Sequence, residues 1–132
     1  MGGHLGFREL QEHPNRYHRA VLCAPMLAIK GLGTGKLNKV AMIFRLLGFG
    51  QSYVLGGGAG KIDKTHERLT SDITRFKKWS SIFKKEPLLL MGSATWTWSK
   101  AAAESMTFSL RPEQVLKIKT PVYLASAKNE VV

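Results

Sequence analysis

Met1-Gly2-Gly3-His4 are the residues of this chain whose types and spacing point most directly to chemistry. A nucleophile elbow is written Gly-x-Ser-x-Gly, with the serine on a strained turn between a strand and a helix. Met1 fits the position after the serine and Gly2 the closing glycine, which puts the serine one residue ahead of Met1. Glycines suit that turn because they let two stretches of backbone approach closely. The chemistry would be nucleophilic attack on a carbonyl, with the backbone N–H at position 1 donating to the oxyanion.

Other reactive residue types carry less. Cys23 is the single cysteine, so neither an internal disulfide framework nor a cysteine-based zinc site can form. Its apolar run, Ala20-Val21-Leu22-Cys23-Ala24, predicts a buried structural thiol. Gly33-Thr34-Gly35-Lys36 and Gly56-Gly57-Gly58-Ala59-Gly60-Lys61 lack the Walker spacing, and Leu37 and Ile62 stand where a magnesium-binding hydroxyl belongs. No cofactor or metal is expected.

The net charge of +11 admits nucleic acid or anionic lipid as a partner. Its cations are spread over several segments, however, and the densest groups, Arg75/Lys77/Lys78 and Lys84/Lys85, read as solvated helix faces. The aromatic residues fall on helical faces rather than interleaving with the cations, so nucleic acid is not expected. A non-enzymatic basic module for nucleic acid or an anionic membrane surface is the alternative reading. No stretch reaches the ~18–20 apolar residues of a membrane span, and no signal peptide is visible. Cytoplasm is the default expectation.

The elements that must position these residues follow from the apolar pattern. At 132 residues and 44% hydrophobic content the chain can bury a real core. Residues 2–13 read as a helix with Leu5, Leu10 and Phe7 as contacts, ended by Pro14 and Asn15. The run 18–24 reads as a strand buried on both faces, closed by Pro25. Leu37, Val40, Ala41, Phe44 and Leu47 form a helix stripe that Gly48 and Gly50 stop. Thr70-Ser71-Asp72 offer caps for a helix over 73–83, with Phe76, Trp79 and Phe83 on one face. Another helix covers 99–106, and Ile118–Ala125 holds a second buried strand. Two isolated strands do not make a stable parallel sheet, so each expects neighbours and the chain alone should be poorly soluble.

Several segments in order resemble the α/β-hydrolase family of lysophospholipases, monoacylglycerol lipases and serine aminopeptidase-like proteins. Met1-Gly2-Gly3-His4 resembles the end of that family's Gly-His-Ser-Met-Gly-Gly elbow. Val21-Leu22-Cys23-Ala24-Pro25-Met26-Leu27 is similar to its strand after the nucleophile helix. Leu69-Thr70-Ser71-Asp72 with Arg75-Phe76, then Thr95-Trp96-Thr97-Trp98, resembles the helical cap of the bacterial lysophospholipase branch. Ile118-Lys119-Thr120-Pro121-Val122-Tyr123-Leu124 resembles the strand that delivers the catalytic acid.

The resemblance implies an α/β fold: a partial α/β-hydrolase, the C-terminal part of a parallel sheet with an inserted, mostly helical cap. Core pieces would occupy residues 1–25 and 112–132, and the cap residues 26–111. An ungapped count places Glu130 at the triad acid, whereas a shift of one would place Asn129 there, which carries no negative charge. The triad order Ser, acid, His puts the base beyond Val132, so His4, His13, His18 and His66 are read as structural or solvated. Phe44, Leu47, Phe76, Trp79, Trp96 and Trp98 are candidates for an acyl-chain pocket, or else simply cap core. The implied substrate is a lipid ester, and a basic cap favours an anionic phospholipid surface. Without serine and histidine, these residues by themselves are expected to be inactive.

Overall fold

The computed structural model describes residues 1–28, 33–60 and 72–126. Helix α1 spans Gly2–Glu12, and strand β1 spans Ala20–Cys23. Strand β2, Val122–Ala125, pairs with β1 in parallel, with Ala20 opposite Val122 and Cys23 opposite Ala125. Parallel pairing demands a crossover between the strands, and the long middle of the chain supplies it.

Helix α1 covers one face of this two-stranded sheet. Phe7 and Leu10, one turn apart on α1, bury against Leu22 of β1, with Ala20, Val122 and Ile118 packed around them. The other face is open among the described residues: Val21 is 66% exposed and Tyr123 68%. The expectation of strands buried on both faces is therefore corrected. Cys23 is corrected with it: its thiol is exposed, because its strand position shares the uncovered side with Val21.

Helix α2, Thr34–Phe44, continues into a wider π-helical turn over Arg45–Phe49, where Gly48 at φ 85° breaks the helical path as the sequence anticipates. Helix α3 spans Ile73–Lys85 and is capped by Asp72, whose carboxylate accepts from the Thr74 and Arg75 N–H groups. Thr70 and Ser71, also read as caps, lie outside the described residues. Lys84 and Lys85 close α3 where the helix dipole favours cations. Helix α4 spans Trp96–Ser109 and begins three residues earlier than the sequence reading, because Thr95 Oγ1 accepts from the Trp98 N–H and caps it there. A short helix α5, Pro112–Val115, leads to β2.

Helices α2 and α4 pack along each other, and α4 also packs on α1. Gln11 Nε2 donates to the Ser109 carbonyl at 2.7 Å, tying the end of α1 to the end of α4. The glycine-rich stretch 50–60 runs against residues 91–97, with Val54 N–H donating to the Ala94 carbonyl and Ser93 N–H to that of Gly58. A Cβ on Gly60 would stand 2.5 Å from the Met91 carbonyl oxygen. Gly57 and Gly60 thus serve close packing.

Candidate functional site at the carboxyl rim of the sheet

The first turn of α1 is set by two glycines three residues apart. A Cβ on Gly3 would come within 2.9 Å of Pro25 Cα and 3.3 Å of the Cys23 carbonyl oxygen, and one on Gly6 within 3.1 Å of Leu22 Cδ2. Residues i and i+3 share a helix face, so this bare strip lets α1 lie directly on β1. Gly2 has no neighbour within 4 Å of an added Cβ, so of the two adjacent glycines only Gly3 meets a close approach. Met1 caps the helix, and its carbonyl accepts from the His4 and Leu5 N–H groups. The leading N–H groups of α1 find no acceptor within the helix, which makes this end attractive to negative charge.

That end of α1 meets the carboxyl end of β1. Ala24 follows the strand at φ 43°, a left-handed conformation that costs a non-glycine residue about 1–2 kcal/mol. It turns the chain into Pro25, the residue against which Gly3 packs. The Ala24 N–H donates to the Ala125 carbonyl at 2.7 Å, so the carboxyl end of β2 lies beside the same turn. Ligands of open parallel sheets bind outside the carboxyl ends of the strands, and this rim is of that kind. Glu130 and Asn129 lie outside the described residues.

His4 stands one turn into α1, with 4% of its surface exposed. Its Nε2 is 2.8 Å from Ser105 Oγ on α4. Burial lowers its pKa below the ordinary 6.5, and Arg8 pushes the same way, while a backbone contact at Met26 acts in opposition. His4 is therefore a neutral ring held between two helices, in keeping with a structural role. His13 and His18 are exposed, and His66 lies outside the described residues. Beside Ser105 a shallow depression is lined by Arg8, Glu104 and Phe108, with the Arg8 guanidinium 4.6 Å above the Phe108 ring.

The aromatic candidates fall into separate groups. Phe44 stacks on Trp96 at 4.2 Å between centroids and 5° between planes, with Phe49 edge-on to Phe44. Trp96 is 5% exposed, whereas Trp98 is 37% exposed and Leu47 64%. Phe76 and Trp79 neighbour each other on α3, with Phe83 beyond Trp79. Among the described residues α3 packs chiefly against the turn Pro87–Leu89. Phe44 and Trp96 are thus brought together at the α2–α4 contact, while Phe76 and Trp79 form their own ladder on α3. No cluster of three or more metal-binding side chains occurs among the described residues. No described helix is long and apolar enough to cross a membrane.

Sequence reasoning missed the His4–Ser105 and Gln11–Ser109 links, whose partners lie 101 and 98 residues apart. The spacing of Gly3 and Gly6 was the one local signal that α1 would lie flat on a strand.

The family model described as serine aminopeptidase, S33, matches residues 1–132. "Probable lysophospholipase L2" of Haemophilus influenzae is 25% identical over 131 residues, covering 98% of this chain. The chain spans 41% of that relative's length. No solved structure matches the chain.

Proposed function

The chain belongs to the serine aminopeptidase family of α/β-hydrolases, and from that premise we propose that it forms part of a serine hydrolase acting on carboxylic esters of lipids, of the lysophospholipase or monoacylglycerol lipase kind. The observation that supports this most strongly is the meeting of three segments at one rim: Gly3 against Cys23 and Pro25, and Ala24 bonded to Ala125. An elbow serine directly ahead of Met1 would stand at that rim, and so would an acid a few residues after β2. The lysophospholipase relative supports the lipid-ester class.

In this reading the serine attacks the ester carbonyl while a histidine takes its proton, and Glu130 orients the imidazole and stabilises it once charged. The negative oxygen of the tetrahedral intermediate accepts from the backbone N–H at position 1 and from a second N–H supplied upstream. One such donor is worth about 2.7–4 kcal/mol. The alcohol leaves with the proton from the histidine, and water then releases the acyl group by the same steps. Phe44, Trp96 and Trp98 are the candidates to meet an acyl chain from α2 and α4, with Phe76 and Trp79 doing so from α3.

Hydrolysis of lysophosphatidylcholine and monoacylglycerol, followed by fatty-acid release, tests the proposal. A polypeptide holding these residues behind a Gly-x-Ser turn and ahead of a triad histidine should turn over, and Glu130→Gln should lower kcat by about 10⁴, as loss of a triad acid does elsewhere. The 132 residues alone should release nothing. Full activity in Glu130→Gln, or ester cleavage by the 132 residues unaided, would overturn it.

A further inference from the structure

We infer that the outward side of α2 and the π-helical turn after it form a docking surface for an anionic lipid bilayer. Met42, Ile43, Leu46, Leu47 and Phe49 are 50%, 56%, 75%, 64% and 53% exposed. Single exposed apolar residues are ordinary, but five within eight positions make a patch. Met42 with Leu46, and Ile43 with Leu47, are four residues apart and share a side of the helix. Ala41 and Phe44 turn the other way, Ala41 fully buried and Phe44 stacked on Trp96 of α4. Among the described residues the patch is therefore the side left over after α2 has packed.

Charge decides what covers it. Lys39 lies in the same row as Ile43 and Leu47, and Lys36 precedes it by three residues; both are exposed. Between Glu12 and Asp63 the sequence holds no acidic residue. A second copy of the chain would bring the same cations against these, so a symmetric dimer through this face is opposed by like charge. Nucleic acid would meet the cations but leave the apolar tip without a partner. A bilayer with anionic headgroups answers both features at once: the tip enters the headgroup–acyl boundary while Lys36 and Lys39 stay at headgroup level. The inference uses none of the ester chemistry and stands or falls apart from it.

Flotation of the 132-residue chain through a density gradient with vesicles is the test, since aggregated protein stays at the bottom and only lipid-bound protein rises. The chain should float with vesicles of equal parts phosphatidylglycerol and phosphatidylcholine, and not with phosphatidylcholine alone. The double variant Leu46→Glu/Leu47→Glu should lose about tenfold or more of that binding, as should Lys36→Glu/Lys39→Glu, because apolar area and charge both contribute. Leu88→Glu, on a fully exposed residue elsewhere, should leave flotation unchanged. Failure of protein that stays soluble without lipid to float with the anionic vesicles, or equal flotation of the Leu46/Leu47 variant, would overturn the assignment. So would a change in its lipid-free sedimentation mass with flotation unaltered, which would mark the face as a contact between copies.

Discussion

Gly3 lies so close to Pro25 that a Cβ added to it would stand 2.9 Å from the Pro25 Cα, nearer than real side chains come. The contact fixes the first turn of α1 against the end of β1, and it separates two adjacent glycines by their roles. Gly3→Ala should destabilise the chain by about 1–3 kcal/mol, the usual cost of overpacking a fitted contact. Gly2→Ala, facing open space, should be neutral or stabilising by up to about 1 kcal/mol, since alanine is the better helix former. Urea denaturation of the two variants checks the difference, and equal effects would contradict the packing described.

Acidification should weaken the fold through His4. In the unfolded chain its imidazole takes up a proton near the ordinary 6.5; in the folded chain burial and Arg8 delay that uptake to lower pH. Below 6.5 the unfolded state therefore binds more protons, so stability falls as pH drops through the window between the two pKa values. Above that window this group contributes no pH dependence. His4→Gln keeps a polar group opposite Ser105 and removes the titration. Its melting temperature should vary less with pH than that of the parent between about pH 7 and pH 5. Parallel curves for the two proteins would refute the assignment.

The two tryptophans that flank Thr97 should behave unlike each other. Trp96 is buried and stacked on Phe44, so Trp96→Ala should cost about 3–5 kcal/mol. Trp98 is 37% exposed, and Trp98→Ala should cost about 1 kcal/mol or less. If Trp98 meets an acyl chain in the lipid-ester reading, its loss should raise KM for long-chain esters and leave short-chain ones unchanged. Thermal melts check the first contrast, and a chain-length series checks the second.

Val21 and Tyr123 are paired in register on the uncovered side of the sheet, and both are mostly exposed. An open apolar sheet face invites association, so the chain should aggregate through it. Val21→Lys/Tyr123→Lys should raise the soluble fraction without altering near-UV circular dichroism. Leu22→Lys, one residue away but buried with Phe7 and Leu10, should unfold the chain. Sedimentation at rising concentration distinguishes these outcomes.

These contrasts also mark how far the sequence could be read. Helix α1, the strands and α2 were legible because their signals are local: an apolar stripe, an apolar run, a proline or glycine stop. The start of α4 was misplaced because Trp96-Thr97-Trp98 alternates like extended chain, while the deciding signal was the hydroxyl of Thr95 just before it. The exposure of Cys23 was not legible, since an apolar run reports that a strand is apolar and not how many of its faces find cover. Nor were the partners of His4 and Gln11, because periodicity shows which face of a helix is inward and says nothing of what meets it. The pairing of β1 with β2 follows from the sequence, whereas Glu130 lies outside the described residues.

The distance between positions 2 and 130 tests the shared rim most directly. Spin labels on Gly2→Cys and Glu130→Cys, in a background where the exposed Cys23 is changed to serine, report it by pulsed electron paramagnetic resonance. Gly2 has room for the label. A compact chain of this length is roughly 35 Å across. A single short distance, under about half of that span, is the predicted result. A distance near the full span would place positions 2 and 130 at opposite ends of the molecule, and the proposed hydrolase site could not exist.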